Sequence, residues 1–223
     1  MAGDVNAVSG AGLTSPRLRR QMVERLRARG IRDERVLAAM ASLPRHVFVD
    51  EALASRAYQD TALPLGFQQT ISQPYVVARM LELLSHGRRL QKVLEIGAGS
   101  GYQAALLAHL AVEVFAVERI EPILAQAREN LRSLRLHNLR LKNADGHLGL
   151  PEAAPFDGII AAAATPHVPE AWLEQLAPGG RLVMPKGDAE QFLVVIEHTP
   201  AGFVEERHEA VRFVPLLCGV GAR

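Results

Sequence analysis

The segment Val93-Leu94-Glu95-Ile96-Gly97-Ala98-Gly99-Ser100-Gly101-Tyr102 limits the folds open to this chain more than any other. A short apolar run ends in an acid and then in three glycines at alternate positions, and a helix is expected from Tyr102 to Leu110. Strand, glycine turn and helix in that order build a ligand crevice at the carboxyl edge of a parallel sheet. Glycine is needed where the backbone turns sharply and a ligand must approach without a Cβ in the way. The spacing then discriminates between ligands. A G-x-G-x-x-G dinucleotide pattern counted from Gly97 would place its last glycine on Tyr102, and the chain has no G-x-x-x-x-G-K-[ST] phosphate loop.

The rest of the chain alternates as such a sheet requires. Ser15-Pro16 reads as a helix start, followed by Leu18, Met22 and Leu26 and closed by Gly30. Asp33 is placed to cap a second helix carrying Val36, Leu37 and Met40, which Pro44 ends. Residues 1–62 therefore read as a helical extension, with 1–15 a disordered tail. A helix is expected from Gln73-Pro74 to about Leu84. Strands near 91–96, 112–118, 138–142, 156–163 and 181–184 alternate with helices over about 101–110, 121–134 and 169–176. Pro178-Gly179-Gly180 reads as a turn. Runs 191–198 and 203–214 are joined by Thr199-Pro200-Ala201-Gly202, too short for a crossover helix, so they are expected to form an antiparallel hairpin. The fold class is α/β: a doubly wound, Rossmann-like, mostly parallel sheet with an antiparallel C-terminal hairpin and a helical N-terminal extension. Residues 16–223 are expected to form one domain, with 16–72 its extension and 73–223 its ligand-binding core.

Charge and composition narrow the partners. The 223 residues carry 25 basic and 24 acidic side chains, a net charge of +1, which disfavours nucleic acid as a partner. No apolar run reaches the length of a membrane span and no secretory signal opens the chain, so a cytoplasmic location is expected. Cys218 has no second cysteine to pair with, and the histidines lack metal-ligand spacing, so no metal is expected. A monomer is expected.

The pattern Glu95-x-Gly97-x-Gly99-x-Gly101 resembles the first motif of the S-adenosylmethionine-dependent methyltransferases. On that resemblance the cofactor site comprises Glu95, Gly97, Ala98, Gly99, Ser100, Gly101, Glu118, Arg119, Asp145 and Gly146. The glycine turn approaches the methionine end, whose carboxylate the following helix N-terminus favours by about 0.3–1 kcal/mol. Glu95 is expected to orient the turn through backbone N–H groups or to meet the ammonium through water. Glu118 ends the second strand, where a carboxylate can accept from both ribose hydroxyls; the competing reading is a surface acid paired with Arg119. Asp145 is expected to accept from the adenine amino group, with Gly146 allowing close approach; the competing reading is a plain Asp-Gly turn.

Two further stretches narrow the acceptor. Pro44-Arg45-His46-Val47-Phe48-Val49 and Thr70-Ile71-Ser72-Gln73-Pro74 resemble the protein-L-isoaspartate O-methyltransferases, and the likeness runs in order from about residue 16 to 217. It implies methylation of the α-carboxylate of L-isoaspartyl residues in damaged proteins and peptides. It also implies S-adenosyl-L-methionine as methyl donor, S-adenosyl-L-homocysteine as product, and repair through a succinimide. Ser72 takes the catalytic position by this likeness, orienting the acceptor carboxylate, and Gln69, Thr70, Ile71, Ser72 and Val214 form the substrate side. A competing reading makes Ser72 a helix N-cap before Pro74. A carboxylate is already ionised at neutral pH, so no general base is needed. Gln68 stands where the family usually has a small residue, and His147, Leu150 and His167 also depart from its pattern. The rival functions are a methyltransferase for a small molecule or nucleic acid, and a non-catalytic adenosylmethionine-binding protein. Ala161-Ala162-Ala163-Ala164-Thr165-Pro166 lacks the amide and aromatic of a base-methylating site, and the intact Thr70–Pro74 block argues against loss of catalysis.

Overall fold

A computed structural model describes residues 16–221; the tail expected over 1–15 lies outside the described residues. The elements run α1 (Pro16–Ala28), α2 (Glu34–Ser42), β1 (Leu63–Gly66), β2 (Gln69–Ile71), α3 (Pro74–Ser85), β3 (Leu90–Ile96), α4 (Tyr102–Leu110) and β4 (Ala111–Glu118). They continue with α5 (Glu121–Arg132), β5 (Leu139–Asn143), β6 (Phe156–Ala161), α6 (Glu170–Glu174), β7 (Leu176–Gly187), β8 (Gln191–Thr199) and β9 (Gly202–Val211). Seven strands form one sheet in the order β5-β4-β3-β6-β7-β8-β9. The first five in that order are mutually parallel, and β8 and β9 complete the sheet in antiparallel fashion.

Local chemistry explains the elements. Asp33 caps α2 by accepting from the Arg35 N–H, and Pro74 occupies the first turn of α3, where its missing N–H has no helical partner to lose. In β3, Val93, Leu94 and Ile96 are fully buried, as a strand covered by helices on both faces requires. Each such side chain contributes about 1.5–3 kcal/mol of burial. The N-terminal helices share this core: Met22, Leu26, Leu37 and Met40 belong to one cluster with Val77, Leu81, Val93 and Leu106. On the other face Trp172 is fully buried with Leu94, Ile159 and Leu182.

Three expectations are corrected. The extension runs from its helical part up to residue 62 into an element not expected on its substrate side, because β1 and β2 pair as an antiparallel hairpin turning at Phe67-Gln68. Pro178-Gly179-Gly180 does not separate a helix from a strand; it is a bulge inside β7, where the register jumps from Phe156↔Leu176 to Gly158↔Arg181. The last run leaves the sheet at Val211 and crosses to the loop after β6, where Pro215 bridges Ala164.

This topology sets the site. β3 lies between β4 and β6, so the chain departs from it in opposite directions on its two sides. That reversal opens a crevice at the carboxyl ends of the strands.

Candidate active site

A cavity of about 730 Å³ occupies the crevice, within the usual range of about 300–1,000 Å³ for ligand pockets. Ile96, Gly97 and Gly99 line it after β3, Glu118, Arg119 and Ile120 after β4, Gly146 after β5, and Ala162 and Ala163 after β6. Gln69, Thr70, Ser72 and Gln73 close the side of the hairpin and α3, and residues 210–217 form the remaining wall. Members of both groups of residues expected from the sequence, Gly97, Gly99, Glu118, Arg119 and Gly146 on one side and Gln69, Thr70, Ser72 and Val214 on the other, therefore face one volume.

The glycines divide their work. Gly97, Gly99 and Gly101 have φ of 86°, 52° and 84°, a conformation that L side chains rarely adopt. The N–H groups of Gly97 and Ala98 both donate to the Val117 carbonyl, at 2.9 and 3.0 Å, which ties the turn to β4. Gly97 and Gly99 line the cavity. Gly101 faces α5, where a Cβ would fall 2.9 Å from Leu131 Cδ1. Ala98 and Ser100 are buried away from the cavity, and the Ser100 carbonyl accepts from Asn130 Nδ2 at 3.0 Å. Of the five turn residues assigned to the cofactor, two line its cavity and three hold the turn.

Glu118 is 7% exposed, and its carboxylate is set by two backbone donors. Oε2 accepts from the Gly99 N–H at 3.1 Å and Oε1 from the Ile120 N–H at 2.9 Å. A carboxylate has about four lone-pair sites, so each oxygen keeps one for a ligand hydroxyl. Arg119 Nε donates to the Gly219 carbonyl at 2.8 Å, and the Arg119 carbonyl accepts from the Gly221 N–H at 3.1 Å. The Arg119 backbone and side chain thus hold the C-terminal segment.

Other assignments are revised. Glu95 is fully buried on β3, and neither carboxylate oxygen has a hydrogen-bond partner among the described residues, so it does not orient the turn through backbone N–H groups. Burial pushes its pKa well above the usual carboxylate range, Gln103 pulls in the opposite sense without reaching hydrogen-bond geometry, and Glu118 adds a smaller upward push. Asp145 accepts from the N–H groups of His147 at 2.9 Å and Gly219 at 2.6 Å and does not line the cavity, as the Asp-Gly turn reading anticipates. Gly146 does line it; a Cβ there would fall 2.7 Å from Ile96 Cγ2, and its carbonyl is held by the buried Trp172 indole N–H at 2.8 Å. Ile71 points into the core at 4% exposure, because strand alternation sends Thr70 outward and Ile71 inward. Ser72 is not a helix cap: Gln73 holds that position, its own side chain makes no capping bond, and the Tyr75 N–H of the first turn donates to Asp60 Oδ1 at 2.9 Å. Val214 lines the cavity and its carbonyl accepts from the Ala164 N–H at 2.8 Å.

Ile120, Ala162, Ala163 and Arg212 are lining residues that the motifs do not mark. Strand-end position is the signal for the first three, since each lies within two residues of a carboxyl terminus of β4 or β6. Among the departures, Leu150 is buried with Trp172, His167 is exposed, and His147 Nδ1 lies 3.7 Å from Cys218 Sγ. Among the described residues, no group of three or more His, Cys, Asp or Glu is placed to hold a metal ion, and no helix is long and apolar enough to cross a membrane.

Comparison with known proteins identifies the family. Residues 17–220 match the family model described as protein-L-isoaspartate(D-aspartate) O-methyltransferase. The protein-L-isoaspartate O-methyltransferase of Dechloromonas aromatica is 67% identical over 211 residues, covering 94% of this chain and 98% of the relative. That of an Azoarcus species is 68% identical over 204 residues, covering 91% and 94%. A solved protein-L-isoaspartate O-methyltransferase superposes with a TM-score of 0.82 at 28% identity, covering 91% of this chain and 67% of that one. A putative enzyme of the same description from Plasmodium falciparum, solved with S-adenosyl-L-homocysteine, gives 0.76 at 25% identity, covering 89% and 98%. With the match spanning nearly the whole described chain, this protein belongs to the protein-L-isoaspartate(D-aspartate) O-methyltransferase family.

Proposed function

We propose that this protein transfers the methyl group of S-adenosyl-L-methionine to the α-carboxylate of L-isoaspartyl residues in damaged proteins and peptides. One observation carries the reading: Gln69, Thr70 and Ser72 share a single cavity with Gly97, Gly99 and Glu118. An acceptor and a nucleoside-bearing donor can therefore lie in contact inside one wall of protein.

The residues present suit the donor. Gly97, Gly99 and Gly146 present backbone without a Cβ, and Glu118 keeps two acceptor sites for a vicinal diol. When bound, S-adenosyl-L-methionine supplies an electrophilic methyl group on a sulfonium centre and is released as S-adenosyl-L-homocysteine.

The chain's own part is alignment. The acceptor carboxylate is ionised at neutral pH and is itself the nucleophile, so no side chain must remove a proton. Ser72, at the cavity wall, donates its hydroxyl to one carboxylate oxygen and leaves the other aimed across the cavity. Thr70 and Gln69 border the same wall, and Val214 faces the substrate from the C-terminal segment. Fixing two reactants in a near-attack arrangement supplies about 7–11 kcal/mol of the barrier. The resulting ester closes to a succinimide without further help from the protein. The protein acts as a cytoplasmic monomer on peptide and protein substrates, with no nucleic-acid partner.

Two synthetic peptides test this, identical except for L-isoaspartate in one and L-aspartate in the other. Incubated with the protein and methyl-labelled S-adenosyl-L-methionine, the isoaspartyl peptide alone is expected to acquire base-labile label. Equal labelling of both, or of neither while the cofactor still binds, would overturn the acceptor assignment.

A further inference from the structure

Arg45 is fully buried, in a short 3-10 turn over Arg45–Phe48. A guanidinium taken out of water normally demands a carboxylate in contact. Arg45 instead donates to two carbonyls: Nε to Ala57 at 2.9 Å and Nη2 to Ser72 at 2.7 Å. Its face lies over the Tyr102 ring, 4.7 Å from the centroid. Nη1 and the Tyr102 hydroxyl are both buried without a hydrogen-bond partner. Asp60, the acid nearest in effect, is engaged by Gln73 Nε2 at 3.0 Å and the Tyr75 N–H at 2.9 Å.

These contacts join the two sides of the cavity. Ser72 lies on the acceptor side, and Tyr102 opens α4 immediately after the glycine turn on the cofactor side. Asp60 holds the first turn of α3 through the Tyr75 N–H and Gln73 Nε2, and one residue upstream the Ser72 carbonyl is held from the core by Arg45. The rigid guanidinium fork reaches Ala57 and Ser72 at once while stacking on Tyr102, which a lysine ammonium cannot do.

We propose that Arg45 is a positioning residue for methyl transfer: it fixes the Ser72 main chain relative to the glycine turn, and so sets where the Ser72 hydroxyl meets the acceptor carboxylate. The proposal rests on the reading of Ser72 as the acceptor-orienting group, and the test separates the two. The variants are Arg45→Lys, Arg45→Met and Ser72→Ala, with each Arg45 change also made in the Ser72→Ala background. Cofactor affinity is measured by calorimetry, and kcat and KM with the isoaspartyl peptide.

Arg45→Lys is expected to lower kcat by up to about 100-fold, the scale of a displacement near 1 Å. The dissociation constant for S-adenosyl-L-methionine should stay within about two-fold of the parent, the scatter of independent sites. In the Ser72→Ala background the same change should cost less than about two-fold, because the tether has no hydroxyl left to place. Multiplying losses in the double variant, or an unchanged kcat in folded Arg45→Lys, would overturn the proposal while sparing the Ser72 reading. An unchanged kcat in Ser72→Ala would overturn both. Tyr102→Leu removes the stacking ring but leaves the fork's hydrogen bonds, and it carries the same cycle if both Arg45 variants fail to fold.

Discussion

Replacing Glu118 by Gln separates the two demands placed on that carboxylate. Its two oxygens accept from the N–H groups of Gly99 and Ile120 and keep one lone pair each for a diol. The amide keeps the shape but turns one acceptor into a donor facing a backbone donor. An unmade buried hydrogen bond costs about 1–3 kcal/mol. That converts to a fall in melting temperature of roughly 2–12 °C for a chain of this size. Cofactor affinity should suffer separately. A hydrogen bond to a charged group is worth about 1.5–3 kcal/mol, so losing one hydroxyl contact weakens binding by about 10- to 150-fold. Isothermal calorimetry with S-adenosyl-L-homocysteine reads the affinity, and scanning calorimetry of the free protein reads the stability. A lowered melting temperature with unchanged affinity would refute the diol contact and leave Glu118 as a bracket for the glycine turn alone.

Two further perturbations report on the hairpin and the buried acid. Phe67 and Gln68 turn the hairpin at φ of 50° and 58°. Gln68→Gly should therefore stabilise by about 0.5–1 kcal/mol after the entropy cost of glycine, raising the melting temperature by about 1–4 °C; an unchanged or lower value would count against strain at that turn. Glu95 has a folded pKa raised by burial above its unfolded value. Its contribution to stability is thus complete below the unfolded pKa of about 4.5 and lost as pH rises through the folded value. Glu95→Gln cannot ionise, so its stability relative to the parent should grow from pH 5 to pH 8 in urea titrations, and a constant difference would show that Glu95 is not the titrating group.

The parts of the fold legible in the sequence are those where one physical demand dominates. The carboxyl half of β3 reads plainly because both faces are covered there and Val93, Leu94 and Ile96 are all apolar and fully buried. The Glu118 position reads from its place at a strand end, next to a turn whose glycines cannot carry the function themselves. The hairpin over residues 63–71 escapes such reading because its turn is built from Phe67 and Gln68, neither of which announces a left-handed backbone. Without the hairpin, period-two alternation is invisible, and Ile71 cannot be told from Thr70 as core or wall. Asp145 misleads for a different reason. Its carboxylate is used by Gly219, 74 residues downstream, and no local pattern records so distant a backbone donor. Pro178-Gly179-Gly180 carries the composition of a turn yet sits inside β7, since a bulge uses the same residues as a turn.

The distribution of charge around the cavity follows from what the acceptor is. A substrate that enters as a carboxylate is opposed by every acid that stays ionised nearby. Among the described lining residues Glu118 is the one acid, and its charge is already engaged by two backbone donors, while Arg119 and Arg212 add positive charge to the wall. Glu95, one strand away, does not line the cavity, and burial pushes its pKa well above the usual carboxylate range. With the nucleophile already charged and the repulsion held down, the barrier that remains is one of distance and angle. On the proposed reading, placement of Ser72 against the glycine turn governs the rate, and Arg45, bonded to the Ser72 carbonyl with its guanidinium over the Tyr102 ring, is where that placement is decided.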